Sequence, residues 1–264
     1  MKQVIPLSPW DLTVAAGLLL TSAAISVALQ LGIGKRLVIA GVRTVVQLLL
    51  IGLVLQFVFA LERWWIVVAV FLSMVINAGI AAVQRLDVRY PGIWSTGLTA
   101  VSISAVLTTF AVTEAVIGVE PWYAPRYLIP LLGMVLGNSL TGISLALDRM
   151  IGDLRTRRQE IEAWLTVGAT SWEAVRPIVA DAVRTGIIPI LNSMSVAGIV
   201  ALPGMMTGQI LAGAAPVDAV KYQIVVMFMI AGASSLGAVL AAMLSFRRLV
   251  TRRHQLALHR IRSA

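Results

Sequence analysis

Apolar residues fall along this chain in seven runs, at about 12–33, 37–60, 64–83, 93–118, 127–147, 186–202 with an irregular continuation, and 219–246, with charged residues collected between them. A helix needs about 20 apolar residues to cross a bilayer core, and each run approaches or exceeds that length. The pattern predicts an all-α polytopic membrane protein with about seven transmembrane helices. Within the runs the apolar character is nearly unbroken, as expected for helices that meet lipid or other helices on every face.

Composition supports this picture. The chain is 59% hydrophobic and 12% charged, too apolar for a soluble fold of 264 residues. The first run is long for a secretory signal and only Lys2 precedes it, so it is expected to remain in the mature chain. There is no cysteine, which removes disulfides, thiolate ligands and Cys nucleophiles.

The positions of the basic residues predict an orientation. With the N-terminus outside, one face of the seven-span map holds sixteen Lys and Arg, and the other holds only Lys2, Arg63, Arg126 and Lys221. The positive-inside rule assigns the crowded face to the cytoplasm, giving an N-out, C-in topology in a plasma or inner membrane. Trp10, Trp64, Trp65, Trp122 and Tyr123 then fall near the outer interface, as an aromatic belt would. The chain reads as one permease domain over 1–264, with a cytoplasmic loop at 148–184 and a basic tail at 247–264.

The cytoplasmic loop contains EIEAWLTVGATSWEAVRPIVAD from Glu160. Leu154, Ile161, Trp164 and Leu165 recur at helical spacing, Gly168 can end that helix in a left-handed turn, and Thr170 with Glu173 forms a capping-box pattern for a second helix, with Pro177 a candidate kink. A helix-turn-helix elbow results. Its six acids balance its six arginines, so it lacks the basic surface that nucleic acid would require. A solvated loop without a partner and a protein-docking element remain; Trp164, Leu165 and Trp172 favour docking, since they would otherwise leave an apolar patch on a small element.

Two features lie inside the runs. Pro203 and Gly204, within LPGMMTGQ, interrupt apolar sequence, and freed backbone at membrane depth must be covered by protein or line a water-filled cavity. Such a break serves either as a packing kink or as a gate of the kind that broken transporter helices provide. Gly208 and Gly213 would allow close backbone approach, and Pro216 suits the first turn of the last helix. The second feature is a polar layer: Arg43, Gln47, Asn77, Asn138 and Asn192 fall at similar depth, counted at about 1.5 Å per residue. They either line a solute path or hydrogen-bond helices together. Arg43 is the costliest and requires protein or water around it.

A metal path has few ligands. Neither His nor Cys occurs in a run, and Glu114 is the one acid well inside one. With Met205 and Met206 it makes a weak ligand set for a bare ion, and the methionines serve equally as packing. Arg43 suits an anion or a chelated metal better. The tail, with His254 and His259, is basic and partly amphipathic, and is expected to lie on the anionic inner leaflet.

The elbow resembles the coupling loop of ABC-transporter permeases: Glu162, Ala163 and Trp164, then Gly168, then Ile178 reproduce its spacing. It departs at Trp164, where the family has a second Ala, and at Ala180-Asp181, where importers have Leu-Pro. A closer resemblance, to the Fet-type permeases, is carried by Ser195 to Leu236, by GVRTVVQLLLIG from Gly41, INAGIAAVQR from Ile76, PLLGMVLGNSL from Pro130, the EAW loop and RRHQL from Arg252. Members are bacterial permeases assigned to iron export and plant relatives implicated in aluminium tolerance.

The resemblance implies that Glu162, Ala163, Trp164, Gly168, Ala169 and Thr170 engage a separate cytoplasmic ABC ATPase. The chain lacks a GxxxxGK[ST] phosphate loop, so ATP and Mg would be bound by that partner and no cofactor by this chain. It implies a homodimer with two ATPase subunits, exporting iron or a metal-related or small polar solute. The alternatives are an importer permease and a channel or secondary transporter without an ATPase. No catalytic constellation occurs, so an enzyme is not expected.

Overall fold

A computed structural model describes residues 8–61, 63–251, 255–257 and 261–263. The chain divides into two compact units, one comprising residues 1–63 and 211–213 and the other 64–210 and 214–264.

The first unit is a pair of packed helices, α1 (Pro9–Ala28) and α2 (Gly34–Leu61). Ser8 and Asp11 form a reciprocal capping box at the start of α1, and Pro9 occupies its first turn. Both helices are long and apolar enough to cross a membrane.

The second unit contains α3 (Trp64–Gln84), α4 (Ile93–Ala111) continued by a π-helical turn (Val112–Ile117), α5 (Pro125–Thr156), α6 (Arg158–Thr166), α7 (Ser171–Val196), α8 (Gly204–Leu211) and α9 (Pro216–Leu249). Here α5 is the axis: it packs against α3, α4, α7 and α9, and α9 packs in turn on α4 and α7. The axis buries Leu132, Val135, Ile143, Leu147, Met150, Ile151 and Leu154.

Lipid tails are as apolar as leucine, so close packing and interhelical hydrogen bonds hold such helices together. Gly142 of α5 and Gly186 of α7 meet backbone to backbone: a Cβ at Gly186 would stand 2.7 Å from the Gly142 carbonyl oxygen and 2.9 Å from the Ala238 Cβ of α9. The buried Ser144 hydroxyl lies 2.7 Å from the Ala82 carbonyl oxygen of α3, and the Tyr90 hydroxyl lies 3.0 Å from those of Thr96 and Ser245.

Six helices are long and apolar enough to span a membrane, and the seventh expected run is built differently. The helix of the 186–202 run, α7, already starts in the elbow at Ser171, runs through Pro177 and Pro189, and ends at Val196, 26 residues in all. An irregular stretch follows, with Gly198 at φ 80° and a bridge between Ala197 and Ala201, before α8 resumes at Gly204. The fifth span continues past its expected end at 147, to Thr156, because amphipathic sequence carries the helix beyond the apolar run. Pro216 opens α9 as expected, whereas no atom lies within 4 Å of a Cβ at Gly208 or Gly213, and Gly213 instead serves a turn at φ 97°.

In the tail, His254 and His259 lie outside the described residues. The described part packs back on the protein: Leu256 bridges to Val250, Ala257 is buried with its N–H donating to the Leu249 carbonyl, and Arg262 and Ser263 pair antiparallel with Arg89 and Val88. Loop backbone between α3 and α4 thereby gains hydrogen-bond partners.

Candidate functional site

Two places in the second unit have the character of sites: the elbow, and a pair of clefts at the opposite end of α5.

The elbow forms as its sequence dictates. α6 ends at Thr166, and Gly168 takes φ 92°, a left-handed conformation that costs other residues about 1 kcal/mol or more. Thr170 caps α7: its hydroxyl accepts from the Glu173 N–H, while the Glu173 carboxylate accepts from the Thr170 N–H at 2.8 Å and its hydroxyl at 2.7 Å. These bonds hold the Glu173 carboxyl below the usual carboxylate range. The Arg157 guanidinium does the same for Glu160, donating from Nε and Nη2 at 2.8 and 2.7 Å. Arg157 also reaches Asp181 on α7, 3.5 Å away, and Arg158 pairs with Glu162.

The apolar residues of the elbow divide between two tasks. Ile161 is buried, Leu165 packs against the core, and Trp172 stands edge-on to Phe246 of α9 with ring centroids 5.5 Å apart. Trp172 therefore has a ring partner inside the unit, which the sequence pattern did not anticipate, while it stays 39% exposed. Trp164 and Val167 remain 55% and 78% exposed at the turn, beside Gly168 and Ala169. The result is a braced elbow with an apolar tip.

The clefts lie at the other end of the bundle. One, of about 510 Å³, is lined by Arg126, Tyr127 and Pro130 of α5, Gln209 of α8 and Tyr222 of α9, among others. The second, of about 320 Å³, is lined by Asn138 of α5, Ser193 of α7, Pro203 and Gly204 at the helix break, and Gln223 of α9. Met134 and Met205 line both, so the clefts adjoin. Arg126 stands in the first turn of α5 and Asn138 twelve residues further on, a run of about 18 Å along the helix.

Of the residues expected on a solute path, the structure gathers Asn138, Pro203, Gly204 and Met205 around this second cleft. Asn77 and Asn192 are exposed on α3 and α7 and line neither cleft; Asn77 bonds its own helix at the Ser73 carbonyl, as Asn138 does at Met134. Met206 is buried, as a packing residue is. Arg43 and Gln47 sit one turn apart on α2 in the first unit. Glu114 lies in the π-helical turn, which contributes only Ile117 to the first cleft. Among the described residues no group of three or more His, Asp or Glu could hold a metal ion.

Sequence reasoning missed Arg126, Gln209, Tyr222 and Gln223. Gln223 is 8% exposed, and the side-chain oxygens of Gln209 and Gln223 accept no hydrogen bond among the described residues. Arg126 falls just before an apolar run, Gln209 beside the helix break, and Tyr222 and Gln223 side by side in the last run, and only the convergence of α5, α8 and α9 brings them together.

This arrangement of membrane-length helices, a broken helix at a polar cleft and an elbow beyond the membrane-length apolar stretches is that of a multi-pass membrane permease. Residues 9–250 match the family described as Uncharacterised protein family (UPF0014), and the chain belongs to that family. It is 30% identical to the "Probable iron export permease protein FetB" of Escherichia coli (strain K12), over 96% of each chain. It is 35% identical to "Protein ALUMINUM SENSITIVE 3" of Arabidopsis thaliana over 82% of this chain and 78% of that one, and 34% identical to the "UPF0014 membrane protein YjkA" of Bacillus subtilis (strain 168) over 88% and 91%. No solved structure is significantly similar to the chain.

Proposed function

We propose that the chain is the membrane-spanning subunit of an ATP-driven transporter of the ABC class, working as a homodimer with two separate cytoplasmic ATPase subunits and exporting iron or another metal-related or small polar solute. The single observation that carries this reading is the elbow. A short helix, a left-handed glycine and a capped second helix present Trp164 and Val167 to solvent, at the spacing of an ABC coupling loop. An apolar tip on a small charged element fits a groove on a protein partner. The second helix of that elbow is α7, whose far end lines the second cleft at Ile190, Ser193 and Val196. Force applied at the elbow therefore has a continuous helix along which to reach the cleft.

Cargo and direction follow the naming of the Escherichia coli relative as an iron export permease. Orientation follows the basic residues, which set the elbow in the cytoplasm.

The test is copurification with a cytoplasmic ABC ATPase subunit, together with transport measured per assembled complex. Trp164→Asp and Gly168→Pro should leave the protein inserted but abolish both association and transport. Proline cannot adopt φ 92° and removes the Gly168 N–H, which donates to the Leu165 carbonyl at 3.2 Å. Survival of association and transport in both variants refutes the docking assignment.

A further inference from the structure

We infer that the two adjoining clefts form a binding site for an anionic solute carrying hydroxyl or N–H donors, such as a hydroxycarboxylate or its metal chelate, and not for a bare metal cation. The inference rests on the permease reading, and names the class of cargo that the clefts can hold.

Charge comes first. Among the described residues Arg126 is the only charged one in either lining, and none contributes a carboxylate, imidazole or thiolate. A bare divalent ion entering here would surrender hydration to neutral amides and thioethers and meet a guanidinium of its own sign. Hard and borderline cations are held in proteins by carboxylate, imidazole or thiolate groups, and the lining supplies none of them. An anion finds the reverse: the guanidinium of Arg126, an exposed residue in the first turn of α5 where the helix dipole is also positive.

The hydrogen-bonding groups narrow the class further. Gln223 is more than nine-tenths buried in the wall of the second cleft, and its side-chain oxygen accepts no bond among the described residues; the Gln209 oxygen in the first cleft is in the same condition. Pro130, which also lines the first cleft, has no N–H to offer the carbonyl of Arg126 four residues earlier. Buried acceptors left unmade are costly, so the solute that satisfies them brings donors of its own. A hydroxyl, an amine or a metal-bound water serves; a plain carboxylate or a naked ion does not.

Size agrees. Clefts of about 510 and 320 Å³ lie in the range of small-molecule sites and far exceed what one desolvated ion would fill. Met134 and Met205, common to both linings, give an apolar and polarisable divider between the charged end and the amide end.

The test uses the full-length protein in lipid nanodiscs, with radiolabelled citrate, iron(III)–citrate and iron(II) alone as probes, read by equilibrium dialysis. Citrate or its iron chelate should bind saturably. Arg126→Gln should weaken that binding tenfold or more and Gln223→Leu at least fivefold, with Arg155→Gln at the elbow end unchanged. Gln223→Glu is the companion to Gln223→Leu: it keeps a polar side chain but adds a negative charge, and should weaken the anionic probes further. Iron(II) alone should show no saturable binding that depends on these residues. Tighter binding of iron(II) than of its chelate, no saturable binding of citrate or chelate at millimolar concentration, or indifference to all three cleft variants overturns the proposal. Copurification with the ATPase is scored separately on the same preparations. Intact copurification without chelate binding removes the site and spares the coupling reading, and chelate binding without copurification does the opposite.

Discussion

The crossing of α5 and α7 at Gly142 and Gly186 gives the sharpest test of the packing. In Gly186→Ala the new methyl would stand 2.7 Å from the Gly142 carbonyl oxygen, 2.9 Å from the Ala238 Cβ and 3.0 Å from the Ala146 Cβ. Carbon atoms prefer about 3.5–4.0 Å, so the added atom is too close to its neighbours by half an ångström or more on two sides. None of these neighbours is the end of a flexible side chain: one is backbone and two are methyl groups fixed to backbone. The strain therefore moves helices, which places the cost in the upper part of the overpacking range, about 2–3 kcal/mol. Alanine's better helix propensity returns at most about 1 kcal/mol. Gly152→Ala in α5 is the control, since nothing lies within 4 Å of its Cβ and only the propensity gain applies. Unfolding in mixed micelles titrated with dodecyl sulfate should separate the two variants by about 2–3 kcal/mol, the packing cost alone, because the equal propensity gains cancel. If Gly186→Ala unfolds at the same point as Gly152→Ala or later, the close crossing is not a structural constraint.

Three further outcomes follow from named residues. The capping box holds Glu173 below the usual carboxylate range, so its contribution is present above the ordinary value near 4.5 and is lost as pH falls through the lowered folded value; amide exchange across 158–173, normalised for intrinsic rates, should stay protected at pH 4.5 and open only below it, and Glu173→Gln should flatten that dependence. Cysteine introduced at Thr156 should react with an impermeant reagent only from the cytosol and at Ala215 only from outside, and external labelling at Thr156 would reverse the orientation taken from the basic residues. If Arg43 serves the transport path, Arg43→Gln and Arg43→Leu should both assemble yet lose flux per assembled complex, with Leu inserting at least as stably; normal flux in Arg43→Leu excludes Arg43 from the path.

How far the sequence could be read depended on whether a feature was local. The cap at Thr170, the left-handed Gly168 and the proline opening α9 are each fixed by residues within one turn, and they form as the pattern requires. Six of the seven apolar runs became membrane-length helices for the same reason, because length and apolarity are properties of a single segment. The run at 186–202 ended early because Val196 is followed by Gly198 at positive φ, where apolarity says nothing about backbone path. Trp172 shows the limit of composition: it is 39% exposed, as a tryptophan in a charged loop reads, but only the arrival of α9 behind the elbow gives it Phe246 to pack on.

The cleft was the least legible feature, because it is made by convergence. Asn138, Pro203 and Met205 were visible as exceptions in apolar sequence, but so were Asn77 and Asn192, and nothing local distinguishes an amide facing a cleft from one closing on its own helix. Depth along a helix is equally blind, since residues at one level point to all sides. What separates Gln223 is burial without a partner, a property of four elements at once. The same geometry makes α7 the physical link in the molecule: it carries the capping box at Thr170, crosses α5 at Gly186 too tightly to admit a methyl group, and reaches the cleft at Ser193. A helix held that closely at its middle cannot slide along its neighbour without separating from it. If a partner engages the elbow as proposed, motion there would be converted into tilt about the glycine crossing and would move the wall beside Asn138 and the broken helix.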